Sequence, residues 1–318
     1  MGVARSTGRL GIANSIVLSA LRFAGYDYDC SPPKLEAKEG AKAAVSAGGR
    51  YMHALPAEVE PIRTFLVEYS GIRPGDVDEH VYQIRDRLWD IYPYACVGHF
   101  RFVSMTFAAD PYYQLALHRL LQGQVEGEKE TRLLDVGCCM GQVLRKLASD
   151  GVDSTRLYGT DIEPRFLDAG YDLFKDRDKF KATFVIGNLL KQEEGDEGLD
   201  ALDGKISFIH ATSFFHLFTW DDQVHAAVRM LRFLDPEQKD VMIFGRQVGT
   251  MLPRNHGKAG SDKVFLHNAH SWQMLWDEIG ERTGTKWRVT MEPTEKIETG
   301  AGGVESSLRK MSFCVFRA

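Results

Sequence analysis

Residues 131–141 read TRLLDVGCCMG and run straight on into QVLRKLASDG, which ends at Gly151. Leu133 and Leu134 close a short apolar run, and Asp135, Gly137 and Gly141 follow where a strand gives way to a helix. A tight turn over a ligand calls for glycine, which tolerates positive φ and lets backbone approach closely. Val143, Leu144 and Leu147 then share one helical face, so the stretch predicts strand, glycine loop, helix. About twenty residues past the loop, LYGTDI ends a second apolar run at Asp161, the distance at which a carboxylate can take both hydroxyls of a ribose. A dinucleotide loop would read G-x-G-x-x-G, with helix amides facing a pyrophosphate. An acid two residues before the first glycine suits instead a ligand carrying an ammonium group.

D-V-G-C-C-M-G resembles motif I of the class I S-adenosylmethionine (SAM) methyltransferases, usually D/E-x-G-x-G-x-G. Cys139 stands in place of the middle glycine and narrows the room beside the cofactor. A nicotinamide cofactor and a ligand-free structural turn are the weaker readings. The resemblance implies that Asp135, Gly137, Cys138, Gly141 and Gln142 hold the methionine end. Asp161 and Ile162 then serve the ribose, Asn188 and Leu189 the adenine, and Ala211 the sulfonium side.

At 318 residues, 44% hydrophobic and 26% charged, the chain is long enough for a full α/β core with an accessory layer. A net charge of -5 argues against a nucleic-acid or anionic-membrane partner, which would favour a basic face. The five cysteines, Cys30, Cys96, Cys138, Cys139 and Cys314, are odd in number and lack metal-ligand spacing, so a reducing intracellular setting and no metal are expected. No apolar run is long enough to span a bilayer. Residues 1–26 carry Arg5, Arg9 and Arg22 without an acid, which has something of a mitochondrial presequence, and Met1-Gly2 with Ser6 fits a short myristoylation pattern. A loosely ordered extension on a cytoplasmic protein is the plainer reading. The expected divisions are an extension and linker over 1–50, a helical lid and substrate layer over 51–128, and a Rossmann-like domain over 129–318.

Leu55 to about Gln124 reads as helices only. Val59, Ile62, Phe65, Leu66 and Tyr69 share one face, and Val81, Ile84, Leu88 and Ile91 another, after a start at Asp76. Tyr92-Pro93-Tyr94 stops that helix, and Asp110-Pro111 opens the next, with Leu117, Leu120 and Leu121 along it. From Leu133 strands and helices alternate, which predicts a parallel sheet covered on both faces. The expected strands are 132–136, 156–160, 183–188, 206–213, 240–247, 287–293 and 311–318, the last antiparallel. Glu163-Pro164 and Thr219 with Asp222 open two of the intervening helices, and another runs from Ser271 to about Thr283. The run 191–204 reads as solvated loop.

Ligands of such sheets bind beyond the carboxyl ends of the strands, at the switch point. The stretch HATSFFHLFTW places His216 at a strand end, facing the transferred group, and His210 within the strand as a satisfied core histidine. Arg246 at the end of the fifth strand is the second catalytic candidate. Tyr94, Phe100 and Arg101 of YPYACVGHFRF, with Phe215 and Trp220, are the candidate substrate-binding residues, and His256, His267 and His270 read as surface. Tyr171 and Lys175 form a Y-x-x-x-K that falls on the wrong helix for dehydrogenase use. Methyl transfer from a sulfonium is an in-line displacement, so a carboxylate acceptor needs only orientation by His216, Arg246 or Arg101. A phenol or alcohol calls for a base, for which His216 is the best offer.

The strings VEYSGI, HVYQIRDRLW, YPYACVGHFRF, LLDVGCCMGQVLRKLASDGV, FLDAGYDLFKDR and FFHLFTW are together similar to a family of fungal secondary-metabolite methyltransferases of meroterpenoid pathways. Val143 replaces the Asp of the family's GQDLRKL form, and Asn188 an acid common after the third strand. The resemblance implies a seven-stranded class I fold, SAM as cofactor, and methylation of an oxygen, foremost a carboxylate, on a small hydrophobic acid. A methyltransferase fold turned to isomerisation or cyclisation is the alternative, and methylation of a protein a weaker one. The helical layer and the 1–50 extension also offer surface for a homodimer.

Overall fold

The computed structural model describes residues 51–122, 130–191, 197–251, 264–297 and 307–318. The N-terminal extension, residues 192–196 of the acidic run and the loop carrying His256 lie outside them. Seven strands make one sheet: β1 Leu133–Val136, β2 Leu157–Asp161, β3 Thr183–Ile186, β4 Phe208–His210, β5 Met242–Thr250, β6 Trp287–Lys296 and β7 Leu308–Arg317, in the order β3-β2-β1-β4-β5-β7-β6. The first five run parallel, and β7 lies antiparallel between β5 and β6. Every residue of β1 is buried, as a central strand covered on both faces must be. The order reverses between β1 and β4, so the cleft beyond their carboxyl ends is the switch point of the sheet.

Helices α1 Glu60–Glu68, α2 Val77–Ile91, α3 Ala95–Gly98 and α4 Pro111–Gln122 form the N-terminal layer. α5 Gln142–Ser149, α6 Pro164–Phe174, α7 Glu197–Asp200, α8 Trp220–Phe233 and α9 Ala269–Thr283 accompany the strands. One apolar core joins the N-terminal layer to α5, α6 and one face of the sheet; a second lies under α7, α8 and α9 on the other. Local chemistry sets the boundaries. Tyr92, held extended before Pro93, ends α2, and the Asp110 carboxylate accepts the Tyr112 amide at 2.9 Å where Pro111 opens α4. Thr219 caps α8 through the Asp222 amide, and Asn268 with Ser271 makes a reciprocal capping box on α9. That box sets the start of α9 at Ala269, ahead of the expected Ser271.

Several expectations are corrected. β4 has three residues, although the amides of Ala211 and Ser213 still donate to the Phe244 and Arg246 carbonyls of β5 before left-handed Ser213 (φ 57) turns the chain away. β5 runs on to Thr250 because β7 pairs with it along its whole length. α4 buries Tyr113, Ala116 and Leu120, whereas Leu121 is 40% exposed. The 191–204 run is not all solvated: Leu199 and Leu202 are buried, and Asp200 and Asp203 pair with Arg229. His267 is fully buried, with Nε2 2.9 Å from Gln223 Oε1 and Nδ1 3.1 Å from Ser271 Oγ.

Candidate active site

The loop after β1 is locked to β2. The amides of Gly137 and Cys138 both donate to the Thr160 carbonyl, at 2.9 and 3.1 Å. Gly141 has φ 67, and a Cβ there would lie 2.9 Å from Arg145 Nη1, so glycine is required on both counts. Cys139 takes the left-handed backbone (φ 52) that the usual middle glycine adopts freely. A side chain in that region costs about 1–2 kcal/mol. The Cys139 amide offsets part of this by donating to Asp161 Oδ2 at 2.8 Å. The glycine loop and the acid that ends β2 are thereby joined directly.

Asp161 also accepts the Glu163 amide through Oδ1 at 3.0 Å. Burial raises its carboxyl pKa, against the pull of the Glu163, Cys139 and Ile162 amides. Asp135 is nearly enclosed, and its Oδ1 lies 2.7 Å from Nδ1 of His210. His210 Nε2 lies 2.8 Å from Thr212 Oγ1, which in turn accepts the Arg246 amide at 3.1 Å. A neutral imidazole with its proton on Nδ1 satisfies every one of these contacts. His210 is therefore the satisfied core histidine expected, but its partner is the loop acid itself, which spacing alone did not reveal.

A methionine-bearing nucleoside fits these residues. Gln142 Oε1, at the first position of α5, is buried without a hydrogen-bond partner among the described residues, an acceptor suited to an ammonium group. Ile162 (42% exposed) and Ile186 (51% exposed) offer apolar surface at the ends of β2 and β3, where a purine would lie. Asn188 Oδ1 accepts the Leu190 amide at 3.0 Å, which fixes its side chain. Leu189, Ala211 and Cys138 are buried, so what they can offer is chiefly backbone.

His216 sits on the short helical turn Phe215–Leu217 after β4. Its Nδ1 is buried without a hydrogen-bond partner among the described residues, and burial, helped by the Arg101 charge, pushes its pKa down to about 4. Arg101 is exposed on the turn Arg101–Val103 of the N-terminal layer. Cys96 of α3 is reached by solvent, yet low-dielectric walls raise its thiol pKa, and it feels the charges of both Arg101 and Asp161. Cys96 of the N-terminal layer thus lies within electrostatic reach of the β2 acid.

Four candidates are relocated. Arg246 reaches the N-terminal layer, with Nη2 3.2 Å from Thr106 Oγ1 and Nε 3.9 Å from Asp110 Oδ2, so it ties the sheet to the layer. Phe215 is fully buried against Trp272 and Phe313. Phe100 is buried against Tyr82 with the Arg85 guanidinium over its ring. Trp220 donates to Glu278 at 2.7 Å and packs on Phe265. All three rings are buried. Tyr94 remains half-buried, its ring tilted against Tyr92.

Residues 51–103 match the meroterpenoid methyltransferase N-terminal domain, and 133–237 match a methyltransferase domain. The chain is 39% identical over 253 residues to O-methyltransferase phiE of Fungal sp. (strain ATCC 74256), covering 78% of this chain and 81% of that relative. The chain belongs to the fungal meroterpenoid-type methyltransferase family. Within that family it is 36% identical to the asnovolin E/chermesin D methyltransferase nvfJ of Aspergillus novofumigatus, over 77% of this chain and 86% of the relative. It is 35% identical to O-methyltransferase atr3 of Stereocaulon alpinum, over 85% of this chain and 76% of the relative. It is a SAM-dependent O-methyltransferase of secondary metabolism, with the class I fold. Among the described residues no helix is long and apolar enough to cross a membrane.

Proposed function

We propose that this methyltransferase esterifies a carboxylate of a small, hydrophobic secondary-metabolite acid. The reading is supported by His216, whose Nδ1 is buried without a hydrogen-bond partner among the described residues, with the exposed Arg101 acting on it. With its pKa pushed down to about 4, it is neutral and only weakly basic at physiological pH. Such a base is far from matched to a phenol or alcohol, whereas a carboxylate is ionised before it arrives. Arg101, exposed beside it, is the cation that would orient the acid. SAM, when bound, supplies a methyl group activated by the sulfonium. Asp135 and Gln142 would receive its ammonium end, Asp161 its ribose, and Ile162 and Ile186 its purine. The chain's own contribution is alignment and exclusion of water.

A net charge of -5 and the exposed Arg101 support a compact acid over a nucleic acid. We infer a cytoplasmic setting, supported by the four described cysteines all being thiols. The test is mass spectrometry after incubation with SAM and a panel of apolar acids and phenols. A gain of one methyl that mild alkali removes is expected. A methyl that survives alkali would mark an ether and overturn the carboxylate, and a rearranged product of unchanged mass would indicate a repurposed fold.

A further inference from the structure

The side chains of Arg145 and Asp176 are both fully buried. Removing two charges from water is costly, and such a pair is seldom a source of stability in itself. Its geometry suggests another use. Arg145 Nε and Nη2 grip the two oxygens of Asp176 at 2.7 and 3.0 Å, which aims Nη1 at the Met140 carbonyl of the cofactor loop, 2.6 Å away. The same carbonyl is pressed from α6, where a Cβ on Gly170 would come within 2.4 Å of it. Phe174 and Phe180 place their rings 4.7 and 4.6 Å from the guanidinium carbon and keep solvent out. Asp176 Oδ2 also accepts a hydrogen bond from the hydroxyl of Tyr69, at 2.8 Å, and Tyr69 belongs to the N-terminal layer. Lys179 closes the seam by donating to the Tyr69 carbonyl at 2.7 Å.

We propose that Arg145 is a positioning residue that sets the cofactor loop through the Met140 carbonyl, and that Tyr69, acting through Asp176, couples docking of the N-terminal layer to that setting. The N-terminal layer thus strengthens the loop's hold on the nucleoside, and by linkage the nucleoside strengthens the docking of the layer. The connection runs from α1 through a single carboxylate to the guanidinium fork and the loop. None of these four residues is among those assigned to the cofactor or the acceptor.

Tyr69→Phe is the decisive variant, because it keeps the ring stacked on Phe65 at 4.9 Å and removes only the hydroxyl. Titration with S-adenosylhomocysteine, with the variant folded well below its melting midpoint, is expected to show about fivefold weaker binding, the scale of one hydrogen bond. Hydrogen exchange supplies a second readout: S-adenosylhomocysteine should slow exchange across 77–91 in the parent chain, and distinctly less in Tyr69→Phe. A merely structural tie would lower the melting midpoint and leave both readouts at parental values, and that result overturns the proposal. Arg145→Lys, which keeps the charge but loses the fork, should weaken binding more than tenfold. If it fails to fold, Tyr69→Phe decides alone. Both readouts use the cofactor product only, so the outcome is separate from the identity of the methyl acceptor.

Discussion

Asp161 has two duties that pull its chemistry in one direction. Each oxygen already accepts a backbone amide, Cys139 on one side and Glu163 on the other, so the carboxylate is fixed before any nucleoside arrives. Asp161→Asn leaves one acceptor oxygen for two amides and turns an NH2 toward one of them. S-adenosylhomocysteine affinity should fall at least tenfold, about 1.4 kcal/mol or more; an unchanged titration curve would remove Asp161 from the ribose. Arg101 predicts the opposite separation. Arg101→Met should raise KM for the acid by an order of magnitude or more, lose its orientation and leave S-adenosylhomocysteine binding as it was. The same variant removes the positive neighbour that helps depress His216, so the imidazole should titrate higher, visible by NMR.

At the scale of elements, the close seat of α6 on the cofactor loop depends on Gly170. Ala normally stabilises a helix interior over Gly by about 1 kcal/mol. Here the added Cβ meets the Met140 carbonyl oxygen, a backbone atom held by Arg145, at 2.4 Å. Overpacking of this kind costs about 1–3 kcal/mol. Gly170→Ala should therefore lower the urea midpoint with an unchanged m-value, and a higher midpoint would show that the loop yields. What was legible in the sequence follows the same division between local and distant causes. Caps at Asp110, Glu163 and Thr219, and the period of α1 and α2, depend on neighbours a few residues away and could be read from the chain. The extent of β5 could not, because its partner β7 begins at Leu308. Arg145 lies on the apolar side of α5, and only the arrival of Asp176 makes its burial tolerable. The burial of Phe100, Phe215 and Trp220 is not announced locally, because the first two lie on or beside helical turns too short to show a periodic face, while Trp220 opens α8. Asp135 and His210 sit on adjacent strands and pair in register, a contact that neither strand announces alone.

For the molecule as a whole, buried imidazoles set the response to acid. His267 lies in the second core, where burial pushes its pKa down to about 3, and His216, half-buried on the turn after β4, has a pKa of about 4. Both folded values fall below the unfolded value of 6.5, so the unfolded chain binds these protons first. Their contribution to stability is complete above about pH 6.5 and is lost as pH falls toward 4 for His216 and 3 for His267. Asp161 acts in the opposite sense, because its raised carboxyl pKa lets the folded state take a proton before the unfolded one does. At about 1.4 kcal/mol per pH unit below 6.5, His267 alone should withdraw about 2 kcal/mol between pH 7.5 and 5. Its ring nitrogens bond Gln223 and Ser271, and a glutamine in its place can serve one of those partners without titrating. Urea denaturation of the parent chain and of His267→Gln at both pH values separates the effects. The variant starts less stable at pH 7.5, from lost packing against Trp220 and Trp272, but should lose about 2 kcal/mol less on acidification. Parallel losses in the two chains would mean that His267 accepts its proton in the folded state as readily as in the unfolded one.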